Sequence, residues 1–213
     1  MHDMIRTIYN KVDKAFVSSL PIERFEGRII LIISDKEVDK AVDYLQNQEY
    51  VGIDTETRPS FKKKCHNTIS LLQISTHDTC FLFRLKRIES YTKIKSFLEN
   101  QKVTKVGLSL NDDIHALNEI MPFTPSQFVD LQQLIGKIGI EDKSLQKIYA
   151  NLFNKRISKT QQLSNWDADI LSEKQMIYGA TDAWACIKIY EEFTNLYTKG
   201  NYKLKTNTTD NNE

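Results

Sequence analysis

Residues 50–57 read YVGIDTET, a run of strand-forming residues that ends in two acids. Tyr50, Val51 and Ile53 favour a buried strand, and Asp54 and Glu56 follow at its end. Side chains alternate across a strand, so the two carboxylates point to the same face. They repel each other unless a cation lies between them or water reaches them. The stretch therefore predicts either a site for a hard divalent metal or a strand that simply ends in solvent.

Around this stretch the sequence alternates between strand and helix patterns. The predicted strands cover residues 28–34, 50–57, 69–76, 79–85 and 102–110. Only two residues separate the third strand from the fourth, which favours an antiparallel hairpin. Helical patterns precede or follow the other strands. The combination predicts an α/β fold with a mixed sheet flanked by helices.

The composition indicates one compact domain without a strong overall electrostatic field. The chain has 213 residues and a formal net charge of +1, so a basic groove for a polyanion has to be local. Cys65, Cys80 and Cys186 are widely spaced and are interpreted as reduced thiols. No apolar run approaches the length that spans a bilayer. We expect a soluble, cytoplasmic protein with no membrane partner.

The two ends of the chain have patterns of their own. Apolar residues at helical spacing over residues 4–20 predict an amphipathic helix. Residues 198–213 are polar, and we expect them to be disordered. The predicted division is therefore an N-terminal helical extension (1–27), one folded domain (28–197) and a tail (198–213).

Two further groups of polar residues lie in otherwise apolar segments. Asp112 and Asp113 start a helix, where only one acid is needed to satisfy free N–H groups. Tyr178 and Asp182 are four residues apart in an apolar helical pattern, so they lie on one face of that helix. An acid and a tyrosine among apolar neighbours need either a polar function at that position or contact with solvent.

The order of these residues carries a family resemblance. VGIDTET, then KVGLSLNDDIHAL, then IYGATDAWACIKIY resembles the tyrosine subgroup of the DEDD superfamily of 3′–5′ exonucleases, and is similar to ribonuclease D and to the exonuclease domain of the Werner-syndrome helicase. The resemblance runs from about residue 28 to about residue 195. Its most specific stretch is SNWDADILSEKQMIYGATDAWA. It implies a ribonuclease-H-like mixed sheet flanked by helices, with residues 28–197 as the exonuclease domain.

The resemblance also implies roles for particular residues. The family pattern has an apolar residue four positions after its third-motif aspartate, and Leu117 stands there relative to Asp113 rather than Asp112. In that family, two magnesium or manganese ions are held by the four acids, and a tyrosine orients the attacking water. The implied catalytic residues are Asp54, Glu56, Asp113, Tyr178 and Asp182, of which the four acids are the metal ligands.

The residue types suit this chemistry independently of the family. Two cations about 3.5–4 Å apart stabilise both the entering and the leaving oxygen in phosphodiester hydrolysis. Carboxylates suit magnesium or manganese, whereas zinc more often recruits His or Cys. No protein nucleophile is required.

Substrate contacts are predicted from loops and strand ends near the acids. The predicted contacts are Thr55, Thr57, Lys62, Lys63, Lys64, Leu71, Gln73, Arg156 and Lys159. Asp130 and His115 are interpreted as structural or surface residues, and Trp166 and Trp184 as parts of the core.

Three functions fit this pattern. The first is a metal-dependent 3′–5′ exonuclease that releases nucleoside monophosphates from DNA or RNA. The second is an enzyme that trims RNA 3′ ends, as ribonuclease D does. The third is a nucleic-acid-binding protein that keeps the fold without hydrolysis. The sequence does not identify a protein partner.

Overall fold

The computed structural model describes residues 5–59 and 68–207. Within these residues the strands are β1 (Arg6–Tyr9), β2 (Arg28–Ile32), β3 (Tyr50–Thr57), β4 (Ile69–Ser75), β5 (Thr79–Arg84), β6 (Thr104–Gly107), β7 (Phe128–Asp130) and β8 (Tyr202–Lys205). The α-helices are α1 (Lys14–Ser19), α2 (Asp35–Leu45), α3 (Thr92–Leu98), α4 (Leu110–Ile120), α5 (Leu131–Ile135), α6 (Leu145–Phe153) and α7 (Glu173–Lys199).

Six of these strands form one mixed sheet in the order β2-β5-β4-β3-β6-β7. β4 runs antiparallel to both of its neighbours, β3 and β5, and the remaining pairs are parallel. The strand that ends in the two acids therefore lies inside the sheet, between β4 and β6. The predicted α/β fold with a mixed sheet flanked by helices is confirmed, including the hairpin of β4 and β5.

Helices cover both faces of the sheet. α2, α3 and α4 pack on one face, where their apolar residues form a core with Val51 and Ile53 of β3. α7 crosses the other face, beside α5 and α6. Because side chains alternate along β3, its even-numbered residues Gly52, Asp54 and Glu56 face α7.

The two ends of the described chain pair with each other, which corrects two predictions. β1 and β8 form a separate parallel sheet, and Ile8 of β1 is completely buried. The predicted helix over residues 4–20 is wrong, since β1 occupies its first part and the helix is limited to Lys14–Ser19. The expected disorder of the tail is wrong for Tyr202–Lys205, because Gly200 ends α7 in a left-handed conformation and the chain returns to pair with β1. Spacing along the sequence does not reveal a pairing between residues so far apart.

Two other sequence features are placed by the structure. In the part of the chain it describes, no helix is both long enough and apolar enough to cross a membrane. Cys80 and Cys186 are buried free thiols, and Cys65 lies outside the described residues.

Candidate active site

The end of β3 supplies the first two acids of the site. Asp54 and Glu56 are half-buried on the face of the sheet that α7 covers. The pairing of β3 with β4 shifts register between Glu56 and Thr57, so regular sheet structure ends just after the second acid. Both acids thus lie at the C-terminal end of this central strand.

Helix α7 brings the third acid to the same place. The helix begins at a capping box in which Ser172 and Gln175 satisfy each other's backbone N–H groups. Tyr178 and Asp182 follow one turn apart, and Asp182 is only 5 % exposed. The predicted helix with its cap is therefore present, and it presents both polar residues to the sheet.

A glycine in β3 allows the close approach of α7. An added Cβ at Gly52 would lie 1.8 Å from the carbonyl oxygen of Ala183, the residue that follows Asp182. Only a residue without a side chain fits between strand and helix at that distance. This feature was missed in the sequence interpretation, although a glycine inside a strand pattern is the usual signal of close backbone approach.

Carboxylates of Asp54, Glu56 and Asp182 form one cluster. Each offers an oxygen that lies within 4.8 Å of the other two. Burial raises the pKa of all three groups, and mutual repulsion raises it further for Asp54 and Glu56. The pKa of Glu56 rises to about 9 and that of Asp182 to about 7.

One oxygen of the cluster has no hydrogen-bond partner in the part of the chain that the structure describes. It is Oδ1 of Asp182, which is buried. A buried, unpaired carboxylate oxygen beside two other carboxylates is a costly arrangement for the protein alone. The all-oxygen donor set fits a hard divalent cation, which would neutralise the crowded charges.

The fourth predicted acid, Asp113, reaches the strand end from the opposite layer. Thr55 lies between the two acids of β3 and faces the α4 side, where its hydroxyl donates a hydrogen bond to Oδ1 of Asp113. Burial raises the pKa of Asp113 to about 6, and the Thr55 hydrogen bond opposes this rise. The charge of Asp113 in turn raises the pKa of Asp54 and Glu56, so it is close to the cluster, although it is not one of the three mutually adjacent ligands. The neighbouring Asp112 is exposed.

Tyr178 lies beside the acids on α7 and is 6 % exposed. Burial raises the pKa of its hydroxyl far above the ordinary 10.0, and the charges of Asp182 and Glu56 raise it further. Its ring packs against Trp166, with 5.9 Å between the ring centroids. Trp166 is completely buried and thus belongs to the core, as its sequence context indicates. A tyrosine held in this way stays protonated and presents its O–H to the cluster.

Two predicted substrate residues have no exposed side chain. Leu71 and Gln73 on β4 are completely buried, so the prediction that they contact a nucleotide is corrected. Their side chains point under α7, where an added Cβ at Gly179 would lie 3.2 Å from Nε2 of Gln73. Within the described residues, neither amide atom of Gln73 has a hydrogen-bond partner.

The other predicted contacts are distributed around the site. Thr57 is exposed just after the acids, and Thr55 is engaged with Asp113. Arg156 is half-buried and its Nε donates to the carbonyl of Leu20 at 3.0 Å. Lys159 is exposed, and its positive charge offsets part of the rise in the pKa of Asp182. The lysines predicted to contact phosphates at positions Lys62, Lys63 and Lys64 lie outside the described residues.

Asp130 has the structural position that the sequence interpretation assigns to it. Its Oδ1 accepts hydrogen bonds from the backbone N–H of Ser109 and of Gln132, at 3.1 Å and 2.9 Å. Its Oδ2 accepts from the N–H of Leu110 at 3.0 Å. One carboxylate thus caps α5 and the start of α4, and it holds the segment that carries Asp113.

Fold and site together define a class of protein. The fold is an α/β fold with a mixed sheet, and carboxylates that suit a divalent cation gather at the end of its strand β3. Residues 29–197 match the model of a family described as 3′–5′ exonuclease, and the chain belongs to that family. The family depends on divalent metal ions, which agrees with the cluster.

Individual relatives agree with this assignment. The chain is 27 % identical over 188 residues to the bifunctional 3′–5′ exonuclease/ATP-dependent helicase WRN of Mus musculus, covering 84 % of this chain and 13 % of the relative. It is 28 % identical over 194 residues to a 3′–5′ exonuclease of Arabidopsis thaliana, covering 84 % and 67 %. The chain thus spans only a small part of the mouse protein.

Solved structures share the fold. The exonuclease domain of Nibbler from Aedes aegypti superposes with a TM-score of 0.76 at 20 % identity, covering 83 % of this chain and 93 % of that domain. RNase D of Escherichia coli superposes with a TM-score of 0.71 at 18 % identity, covering 79 % and 46 %.

Proposed function

We propose that this protein is a metal-dependent 3′–5′ exonuclease that hydrolyses phosphodiester bonds and releases nucleoside monophosphates. The observation that carries the proposal is the cluster of Asp54, Glu56 and Asp182, whose oxygens lie within 4.8 Å of one another beside Tyr178. Membership of the 3′–5′ exonuclease family supports it.

The acids are proposed to hold two magnesium or manganese ions. Asp54, Glu56 and Asp182 provide the clustered carboxylates, and Asp113 supports the set from the opposite layer. When bound, divalent cations stabilise the added charge on phosphate oxygens and lower the pKa of water. Thr55 orients Asp113 through its hydrogen bond, and Asp130 fixes the helix on which Asp113 stands.

Tyr178 is proposed to orient the attacking water in this tyrosine-type site. Its raised pKa keeps the hydroxyl protonated, so it acts by hydrogen bonding rather than by removing a proton. Trp166 packs on its ring and limits the positions of the hydroxyl. The substrate class is proposed to be nucleic acid, DNA or RNA, with a free 3′ end.

The boundaries and location are also part of the proposal. We assign the activity to residues 28–197 and place the protein in the cytoplasm. Arg156, Lys159 and Thr57 remain proposed substrate contacts, as do the three lysines of residues 62–64.

A cleavage assay tests the proposal and decides between DNA and RNA. Strands of each type, labelled at the 5′ end, are incubated with the protein in MnCl2, in MgCl2 and in EDTA. We expect a ladder that shortens from the 3′ end with either metal and no products in EDTA. Asp182→Asn should abolish the ladder, whereas Asp112→Asn, which changes an exposed neighbouring acid, should not. If the wild-type protein binds both strands and cuts neither, it is a binding protein on this fold.

A further inference from the structure

A cleft between α1 and the start of α6 lies outside the acidic cluster. It has a volume of about 350 Å³. One wall comes from α1, which precedes the family-matched span of residues 29–197. Its polar lining consists of Lys14 and Ser18 from α1, Ser144, Gln146 and Lys147 from the start of α6, and Lys159 from the segment that follows α6.

The cleft is positively charged. Its lining includes three lysines and no carboxylate. Lys147 is partly neutralised by Asp142, at 3.2 Å, a buried acid that also accepts a hydrogen bond from the N–H of Val12. Lys14 and Lys159 are exposed, and neither has a carboxylate within 4.0 Å in the described ranges. Two lysines that form no close ion pair, in one concave surface, attract an anion.

The cleft adjoins the candidate active site through residues 158–160. Lys159 lines the cleft, whereas Ser158 and Thr160 line a neighbouring cavity that extends to Tyr178. The charge of Lys159 also acts on Asp182. Residues 158–160 thus lie between the cleft and the side of the site that carries Tyr178, and a strand whose terminal phosphate lies at the acids can extend past them towards the cleft.

A positively charged cleft near the acids would offset their repulsion of a nucleic-acid substrate. The acidic cluster repels a polyanion, and the net charge of +1 gives no general attraction. Phosphate contacts supply most of the affinity of proteins for nucleic acid, and they come mainly from lysine and arginine. Lysines in the neighbouring cleft could supply such contacts away from the bond that is cut.

We infer that this cleft binds the backbone phosphates of a nucleic-acid strand on the 5′ side of the nucleotide in the active site, through Lys14, Lys147 and Lys159. The inference rests on the proposed exonuclease function. It assigns to α1, which lies outside the family span, a part in holding the substrate.

Binding measurements test the inference without hydrolysis. The protein carries Asp182→Asn so that strands stay intact, and fluorescence anisotropy follows binding of oligothymidylate and oligouridylate strands of twelve nucleotides. Lys14→Ala and Lys159→Ala should each raise the Kd about 3- to 5-fold, as expected for loss of one exposed ion pair. Each should also reduce the slope of log K against log salt concentration by about 0.7, the value for one phosphate contact on a single strand.

Matched controls separate this cleft from a general charge effect. Lys36 is an exposed lysine on α2, on the opposite face of the sheet, and Lys36→Ala should change neither Kd nor slope. Thermal unfolding of each variant checks the fold. Equal effects of Lys36→Ala and Lys14→Ala, or no effect of Lys14→Ala and Lys159→Ala, would overturn the inference. A difference between the thymidylate and uridylate strands identifies the preferred backbone.

Hydrolysis kinetics distinguish failure of the inference from failure of the proposed function. In the active protein, Lys14→Ala should raise KM for the twelve-nucleotide strand and leave kcat unchanged, since the inference assigns Lys14 to backbone phosphates on the 5′ side and not to the bond that is cut. A dinucleotide has a single internal phosphodiester, which the active site holds, so its kinetics should not change. If the wild-type protein cuts nothing, the proposed function fails, and the binding measurements still decide whether the cleft holds a strand.

Discussion

Replacement of Asp182 by asparagine tests whether the clustered acids destabilise the protein when no cation is present. Burial holds the pKa of Asp182 at about 7 in the folded protein, above its ordinary 3.8. Between these values the folded state binds a proton that the unfolded chain has lost. The stability of the wild-type protein therefore falls as the pH rises from about 4 to about 7.

The magnitude follows from the same pKa change. At pH 8 the buried charge costs about 4 kcal/mol of unfolding free energy, and at pH 5 it costs less than about 2 kcal/mol. In EDTA at pH 8, Asp182→Asn should therefore raise the unfolding free energy by about 4 kcal/mol, or the melting temperature by about 10 °C. The gain should shrink at pH 5.

Thermal unfolding with and without MnCl2 completes the test. The wild-type protein should gain about 2.7 kcal/mol at a cation concentration about 100 times the Kd, because the ion binds only the folded state. The variant should gain little. Asp112→Asn changes an exposed acid and should alter stability by no more than about 0.5 kcal/mol. A variant that is less stable than wild type in EDTA at pH 8, or a wild-type protein that no divalent cation stabilises, would refute the reasoning.

Four further substitutions probe the surroundings of the site. Gly52→Ala puts a Cβ 1.8 Å from a carbonyl oxygen of α7. It should lower the unfolding free energy by about 3 kcal/mol or more and remove the stabilisation by Mn²⁺. Gly136→Ala adds a Cβ in open space and should be neutral in the same melting assay. Tyr178→Phe should lower kcat about 10- to 100-fold and leave the Kd for Mn²⁺ within about 2-fold, because the tyrosine orients water and does not hold the cation; an unchanged kcat would remove it from the mechanism. Gln73→Met should raise the unfolding free energy by about 1–3 kcal/mol, since neither amide atom has a partner within the described residues, and a loss of stability would show that the amide is bonded in solution. Burial lowers the pKa of Lys105 from 10.5 to about 8. Between pH 7 and pH 10 the unfolding free energy of the wild-type protein, measured in urea, should therefore rise by about 2 kcal/mol relative to that of Lys105→Met. Parallel pH profiles of the two proteins would contradict this.

Much of the site is readable from local periodicity. Alternation along a strand places Asp54 and Glu56 on one face, and helical spacing places Tyr178 and Asp182 one turn apart, whatever the rest of the fold does. The structure has both arrangements. The mixed sheet is predictable for the same reason, since strand and helix patterns are properties of short segments.

Long-range packing decides what local patterns leave open. Leu71 and Gln73 alternate like the acids opposite them, yet α7 covers them completely, so they offer nothing to a substrate. The helix predicted for residues 4–20 gives way to a strand because β8, far along the chain, pairs with β1. Pairing partners outweigh a weak local preference, and the sequence of either segment alone does not name its partner.

The sequence by itself determined the acids, their order and the faces on which the first two and the last one lie, because those depend on the periods of strands and helices. Tertiary structure alone decided that Asp182 stands over Asp54, through the contact of Gly52 with α7, and that Thr55 binds Asp113 from the other layer. It also decided that α1 and the start of α6 form a basic cleft together with Lys159. These relations join residues that are distant along the chain, and only the packing of whole elements fixes the distances between them.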